Sequence, residues 1–301
     1  MQGTVNGFSY GLVTPVAAFL AAGLGGALGL RCVAPALRGR GRRRPAALVL
    51  GTLTLGCGVW TSHTVAMTGF AVDGTSVGYD TVTMFASLAV GLLMIGAGLF
   101  VVGQRGASRM NLVSGGTLTG LGIASTHYLG MAGMQLDGMV EYSTPTVVGA
   151  VAVGVAASVA ALYTTSRYRG VPGALAAAGC LGLATTAMHY IAMAGATIDL
   201  TSPAAAGGGR PDAGDLLPML AGPAAFLVVA AAVALGRPRL LPGAAPHRAT
   251  APEAVRGPVP RSREPLPVQR ARTRRHHTAA GAARGRAPQP VRGGSTDLHD
   301  W

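Results

Sequence analysis

His63, His127 and His189 each stand four residues before a methionine, at Met67, Met131 and Met193. On an α-helix, positions four apart differ by about 40° around the axis and one turn along it, so each imidazole shares a face with its thioether. Met134, seven residues after His127, continues that face. Imidazole nitrogen with thioether sulfur is a soft, neutral ligand set, and softness together with geometry selects copper over magnesium or calcium. No carboxylate or thiolate lies on the same face. Such a cluster suits Cu(I) and lets Cu(II) be reached where imidazoles dominate, which points to a redox-active or gas-binding copper centre. A lone intramembrane His is usually a hydrogen-bond partner for a neighbouring helix and a lone Met core filler. Three matching copies favour a functional cluster.

The three segments read HTVAMTGFAVD, HYLGMAGMQLD and HYIAMAGATID, with 64 and 62 residues between successive histidines. That spacing makes each unit two membrane helices long, and equal direction in all three copies makes it a parallel repeat. The histidines should therefore lie at one depth, six or seven residues from the outer helix ends, or about 10 Å. The other four histidines, His247, His276, His277 and His299, fall in a polar C-terminal tail. Gly69, Gly133 and Gly195, with the G-x-x-x-G pairs Gly25/Gly29 and Gly116/Gly120, allow close approach of helix backbones. Tyr128 and Tyr190 follow two of the histidines and point about 100° away, as belt aromatics or supporting hydrogen bonders. Asp73, Asp137 and Asp199 stand ten residues after each His, in loop or capping positions or as an acidic mouth.

The elements that must position these groups follow from composition. Half of the 301 residues are hydrophobic and only 12% are charged, too apolar for an ordinary soluble domain. Seven runs are long enough for a ~30 Å hydrocarbon core, near 8–30, 47–70, 81–103, 112–134, 145–165, 172–195 and 215–236. Lipid obliges each backbone to satisfy itself, so runs of this length are helices. The expected fold is all-α: a polytopic bundle of seven transmembrane helices. Three two-helix repeats, about 8–73, 81–137 and 145–199, occupy a membrane domain of residues 1–236, with a seventh helix at 215–236.

The 24 basic residues are all Arg, and outside the tail they fall mainly in alternate loops, at Arg31 to Arg44, Arg105 with Arg109, and Arg167 with Arg169. The other loops carry Asp73, Asp80, Asp137, Glu141, Asp199, Asp212 and Asp215, with one basic residue, Arg210. Basic loops stay in the cytoplasm. The expectation is a multi-pass plasma-membrane protein with its N-terminus outside and C-terminus cytoplasmic, and without a cleaved signal peptide. Cys32, Cys57 and Cys180 form no C-x-x-C pair and read as packing residues.

These motifs resemble the MHYT domain, a bacterial integral membrane sensor module of six helices whose three motifs near the outer face contain Met, His and Tyr. The match is fullest at Met188-His189-Tyr190 with Met193, good at His127-Tyr128 with Met131, and weaker at His63 with Met67, where Thr64 replaces the tyrosine. Val65, Leu129 and Ile191 stand where the family has threonine, and the leading methionine occurs only in the third copy. The resemblance covers roughly residues 8–236. It implies copper binding and, through copper, sensing of a diatomic gas such as oxygen, carbon monoxide or nitric oxide. Family members commonly continue into a cyclic-di-nucleotide synthesis or degradation domain, a kinase or a DNA-binding domain.

From residue 237 this sequence continues instead as an Arg/Pro-rich stretch holding 13 of the 24 arginines, expected to be a disordered cytoplasmic tail. Its run ARTRRHH, 271–277, is suited to anionic lipid, and nothing there supports specific nucleic-acid recognition. No G-x-S-x-G, H-E-x-x-H or phosphate-binding loop suggests an enzyme. The expected function is a membrane sensor with metal ligands His63, Met67, His127, Met131, His189 and Met193, signalling through its loops, its tail or a separate cytoplasmic partner. The alternatives are a haem-binding redox protein with two axial histidines, a metal transporter, or an anchor for the tail.

Overall fold

A computed structural model describes residues 10–38, 44–72, 76–200 and 216–236, together with the backbone of 2–3 and 5–6. The tail after residue 236, and with it the expectation of disorder, lies outside the described residues, as do Asp73, Arg210, Asp212 and Asp215. The described residues form seven helices: α1 (Val13–Leu37), α2 (Arg44–Thr68), α3 (Thr81–Arg105), α4 (Arg109–Ala132), α5 (Thr144–Arg167), α6 (Gly170–Ala194) and α7 (Leu216–Gly236). The fold is an all-α bundle, as expected.

Six helices are long and apolar enough to cross a membrane, and α4 is the exception among the seven. Its sequence is rich in glycine and hydroxyl residues. Inside the bundle those hydroxyls are satisfied by their own helix: Thr119 donates to the Gly115 carbonyl and Thr126 to that of Gly122. Threonines on α2, α5 and α6 do the same. Polar side chains are thus carried through an apolar interior at little cost.

α1 differs from its expected range. It runs to Leu37 and takes in Arg31 and Pro35, because the apolar pattern resumes after the single charge with Cys32, Val33, Ala36 and Leu37, all buried. Other ends follow local chemistry. Asp80 caps α3 by accepting from the Thr83 amide and hydroxyl at 2.7 and 2.6 Å, and Ser108 caps α4 through the Asn111 amide. Gly106, at φ 86°, closes α3 in a conformation that L side chains avoid.

Helices pack in sequential pairs, α1 with α2, α3 with α4 and α5 with α6. The pairs join through α2 with α3, α4 with α5, and α6 with α1, so six helices close a ring. Within it α2, α4 and α6 also touch one another, while α7 packs outside on α2 and α1. Both G-x-x-x-G pairs lie at close approaches. A Cβ on Gly25 would stand 2.5 Å from the Gly58 Cα of α2, and one on Gly120 2.5 Å from the Val155 Cα of α5.

Short strands complete each unit where the sequence suggested loops: β1 (Gln2–Gly3), β2 (Val5–Asn6), β3 (Ala71–Val72), β4 (Gly78–Tyr79), β5 (Met134–Gln135), β6 (Gly138–Tyr142) and β7 (Ala196–Leu200). In every unit the strand leading in pairs antiparallel with the strand leading out, β2 with β3, β4 with β5 and β6 with β7. β1 then pairs with β7, joining the first unit to the third. Two- to five-residue strands are invisible to a hydropathy scan. Their pairing satisfies backbone groups at the edge of the apolar zone.

Two outcomes are expected. Gly25→Val forces α1 off α2 and destabilises by about 1–3 kcal/mol, whereas Gly149→Ala, with open space around it, leaves thermal unfolding in detergent unchanged. The hydrogen bonds from Thr83 hold the Asp80 carboxyl below its ordinary range. A folded value below the unfolded one stabilises fully above about pH 4 and is lost as pH falls toward the folded value. Asp80→Asn therefore flattens the acid limb of the melting-temperature profile.

Candidate metal centre

His63, His127 and His189 lie on α2, α4 and α6, each five residues before its helix ends, which corrects the expected depth to about 7.5 Å. All three are buried, at 2, 1 and 4% exposure. Equal depth on three mutually touching helices brings the rings together, with centroids 4.9 to 5.4 Å apart.

Their Nδ1 atoms form a nearly equilateral triangle with edges of 3.4 Å (His63 to His189), 3.4 Å (His127 to His63) and 3.1 Å (His189 to His127). The point equidistant from all three is about 1.9 Å from each, close to the roughly 2.0–2.1 Å of a zinc–imidazole bond. Protons alone do not satisfy this triangle. An imidazole nitrogen either donates or accepts, never both at once, so at least one edge must face lone pair to lone pair or N–H to N–H. A cation at the centre removes that conflict by receiving all three lone pairs. These three buried histidines can hold a metal ion.

The methionines lie one turn closer to the strand-bearing end. Met67, Met131 and Met193 are buried and belong to one continuous apolar cluster, with Trp60, Met84 and Met219. The expected six residues therefore occupy two adjoining layers, imidazoles below and thioethers above. Tyr128 and Tyr190 are not directed into the triangle. Each sets its ring edge-on to the preceding histidine, at 4.8 and 5.0 Å, and Tyr128 also meets Tyr142 of β6. Thr64, the first copy's counterpart, donates to the Trp60 carbonyl. Asp199 lies in β7, paired with Gln2 and Met139, in a structural role. Cys32, Cys57 and Cys180 are free thiols on other parts of α1, α2 and α6.

The glycines expected to allow close helix approach do so against partners that the sequence does not name, and Gly130 adds a further contact. Gly69, Gly133 and Gly195, two residues after each methionine, seat against Thr14, Thr83 and Thr146 in the first turn of their own unit's other helix. This fixes the height of each His-bearing helix. Gly130, three residues after His127, faces the Nε2 edge of His63, and a Cβ there would drive into that ring. The other copies have Ala66 and Ala192 at this place, so the shared pattern does not show that a methyl is excluded at Gly130.

A ring of three helix pairs giving one buried imidazole each defines a multi-pass membrane protein with a candidate three-histidine centre. The family model MHYT, described as a bacterial signalling protein N terminal repeat, matches residues 56–115 and 120–178. The chain thus carries two copies of the repeat that this model describes, over 119 of its 301 residues. The two matches include His63 and His127 and stop before His189, whose place in the centre rests on the structure.

A Caulobacter vibrioides "uncharacterized signaling protein" is 33% identical over 53% of this chain and 19% of its own length. The Pseudomonas aeruginosa bifunctional diguanylate cyclase/cyclic di-GMP phosphodiesterase MucR is 32% identical over 54% of this chain and 24% of its own. The cyclic di-GMP phosphodiesterase NbdA of the same organism is 28% identical over 48% and 19%. The matched part is thus a quarter or less of these relatives, and it is the signalling repeat rather than an enzyme domain. No solved structure matches the chain.

Gly130→Ala is expected to rotate the His63 imidazole out of the triangle while leaving helix content unchanged. Metal affinity should fall about tenfold or more, as for loss of a group that orients a ligand, measured by competition with a chromophoric chelator.

Proposed function

We propose that His63, His127 and His189 hold a single copper ion and that its ligand or redox state is the signal this protein reads. The Nδ1 triangle carries the reading, because its size suits a metal–imidazole bond and its donors conflict without a cation. Copper is favoured over zinc by the second layer: thioethers are soft ligands, and Met67, Met131 and Met193 adjoin the imidazoles with no carboxylate among them. Bound there, copper supplies a redox-active centre able to take a diatomic gas.

The chain's own residues do the rest. The three imidazoles fix the site on three separate helices, the methionine layer excludes water, and the paired strands cover the same end. Any change in preferred geometry at the triangle shifts α2, α4 and α6 relative to one another, a helix displacement of the kind that switches receptors. The arginines Arg105, Arg109, Arg167 and Arg169 gather at the far end and Asp80, Asp137 and Glu141 at the strand-bearing end, which supports a cytoplasmic far end. Two relatives are named for cyclic di-GMP turnover, and this chain is read as the sensing part of comparable signalling, acting through its tail or a separate cytoplasmic protein.

A bis-histidine haem is disfavoured by the same distances. The three imidazole rings pack against one another with centroids 4.9 to 5.4 Å apart, which leaves no slot for a macrocycle between any two of them.

Metal analysis of detergent-purified protein after copper-replete growth should give one copper per chain, and the triple Ala variant at 63, 127 and 189 near zero. Equal, near-zero copper in both rejects the proposal. Single His→Ala variants should weaken binding by more than about 100-fold, beyond the loss of a supporting contact. Trp60 is fully buried on α2, one turn before His63. Its emission in a Trp301→Phe background should be quenched on Cu(II) loading and recover on chelation.

A further inference from the structure

The far end of the bundle holds a cavity of about 380 Å³ at the seam where α6 closes on α1. Arg31 and Arg38 of α1 line it on one side, and the first turns of α6 on the other. Arg38 is built into the seam, donating to the Thr165 and Tyr168 carbonyls at the end of α5 at 2.6 and 2.7 Å. Arg31 is exposed, six residues before the end of α1 and therefore about 9 Å inside it.

The repeat shows how unusual this charge is. Matching the first-turn threonines Thr14, Thr83 and Thr146, which all seat the same glycine, places Arg31 opposite Phe100 of α3 and Tyr163 of α5. Two units carry an aromatic where the first carries a guanidinium. A charge within a membrane helix is costly and marks a functional position unless compensated. Among the described residues no carboxylate lines the cavity.

Apart from the arginines the cavity wall is mostly apolar, with Ala27 and Leu30 of α1 and Ala174 and Leu175 of α6 in its lining. Its lining on α1 runs from Ala27 to Arg38, about 16 Å along the helix. A free phosphate would fill only the mouth, whereas a phospholipid occupies both parts. Basic pockets between membrane helices on the cytoplasmic side are suited to anionic lipid head groups. We infer that the α1–α6 seam is a binding site for one anionic phospholipid, its phosphate on Arg31 and Arg38 and an acyl chain in the Ala27/Ala174 groove. This inference is independent of the metal centre.

The full-length protein, purified in mild detergent and given equimolar phosphatidylglycerol and phosphatidylcholine of the same chains, is read by native mass spectrometry. Wild type should retain one phosphatidylglycerol in preference to phosphatidylcholine. Arg31→Phe, which installs the second unit's residue, should lower that preference about fivefold, the value of one arginine near an anionic surface. Arg31→Gln should do the same if the aromatic disturbs folding, and Ala174→Trp, which fills the groove, should abolish retention. Circular dichroism and elution volume confirm that each variant is folded. An unchanged lipid ratio in the folded variants overturns the inference. So does full displacement of the lipid by inorganic phosphate, which would make the site one for a soluble anion.

Discussion

Three imidazole nitrogens 3.1 to 3.4 Å apart in an apolar interior are the constraint around which this bundle is organised. Buried polar groups persist where partners satisfy them, and three like nitrogens cannot satisfy one another through protons. The arrangement holds only if packing elsewhere outweighs the conflict or a cation resolves it. Both routes demand that three helices keep the same height to within a fraction of a turn. That height is set three times over by the same device, a glycine after the His–Met pair pressed against a threonine in the first turn of the companion helix. It is reinforced by the strand pairs that close each unit.

A parallel repeat is an economical way to build such a centre. Each unit contributes one ligand at one depth, so a threefold set of donors arises without any unit supplying two. The cost is that unit-specific fitting must be done by departures from the pattern. Gly130 replaces the alanine of the other copies because the His63 ring crosses to α4 there, and Thr64 replaces tyrosine where α2 bonds its own backbone beside Trp60. Threefold in pattern, the centre is asymmetric in detail, and its shorter 3.1 Å edge lies between the two units that keep the tyrosine.

Much of this was legible in the sequence. Apolar runs fix helix number well because lipid imposes both length and composition, and the recurrence of His with Met at i+4 named the three residues that meet. What stayed hidden was set by contacts between elements. Hydropathy stopped α1 at Arg31, since a scan counts charge and does not see that the helix continues beneath it. It also did not distinguish α4, whose glycines and hydroxyls set it apart from the six more apolar helices. The short strands, the glycine seats and Gly130 depend on which helix lies opposite, information that no single segment carries. That the Nδ1 atoms rather than the Nε2 atoms converge follows from ring orientation and has no sequence signal at all.

On the proposed reading, the ring's closure decides how a change at the triangle can travel. A displacement of α2, α4 and α6 cannot be absorbed at the strand-bearing end, where each helix runs directly into a paired strand. The three helices are continuous over 24 or 25 residues, so motion passes along them as rods toward the arginine-bearing end. There the constraints differ from seam to seam. Arg38 ties α1 to the end of α5 through two carbonyls, and α6 begins beside the cavity under Arg31, where its first turns are less tightly packed. The cavity at its first turns gives α6 different contacts there from those of its two counterparts. Unequal contacts of three equivalent helices are what would turn a symmetric event at the centre into a directional one at the far end.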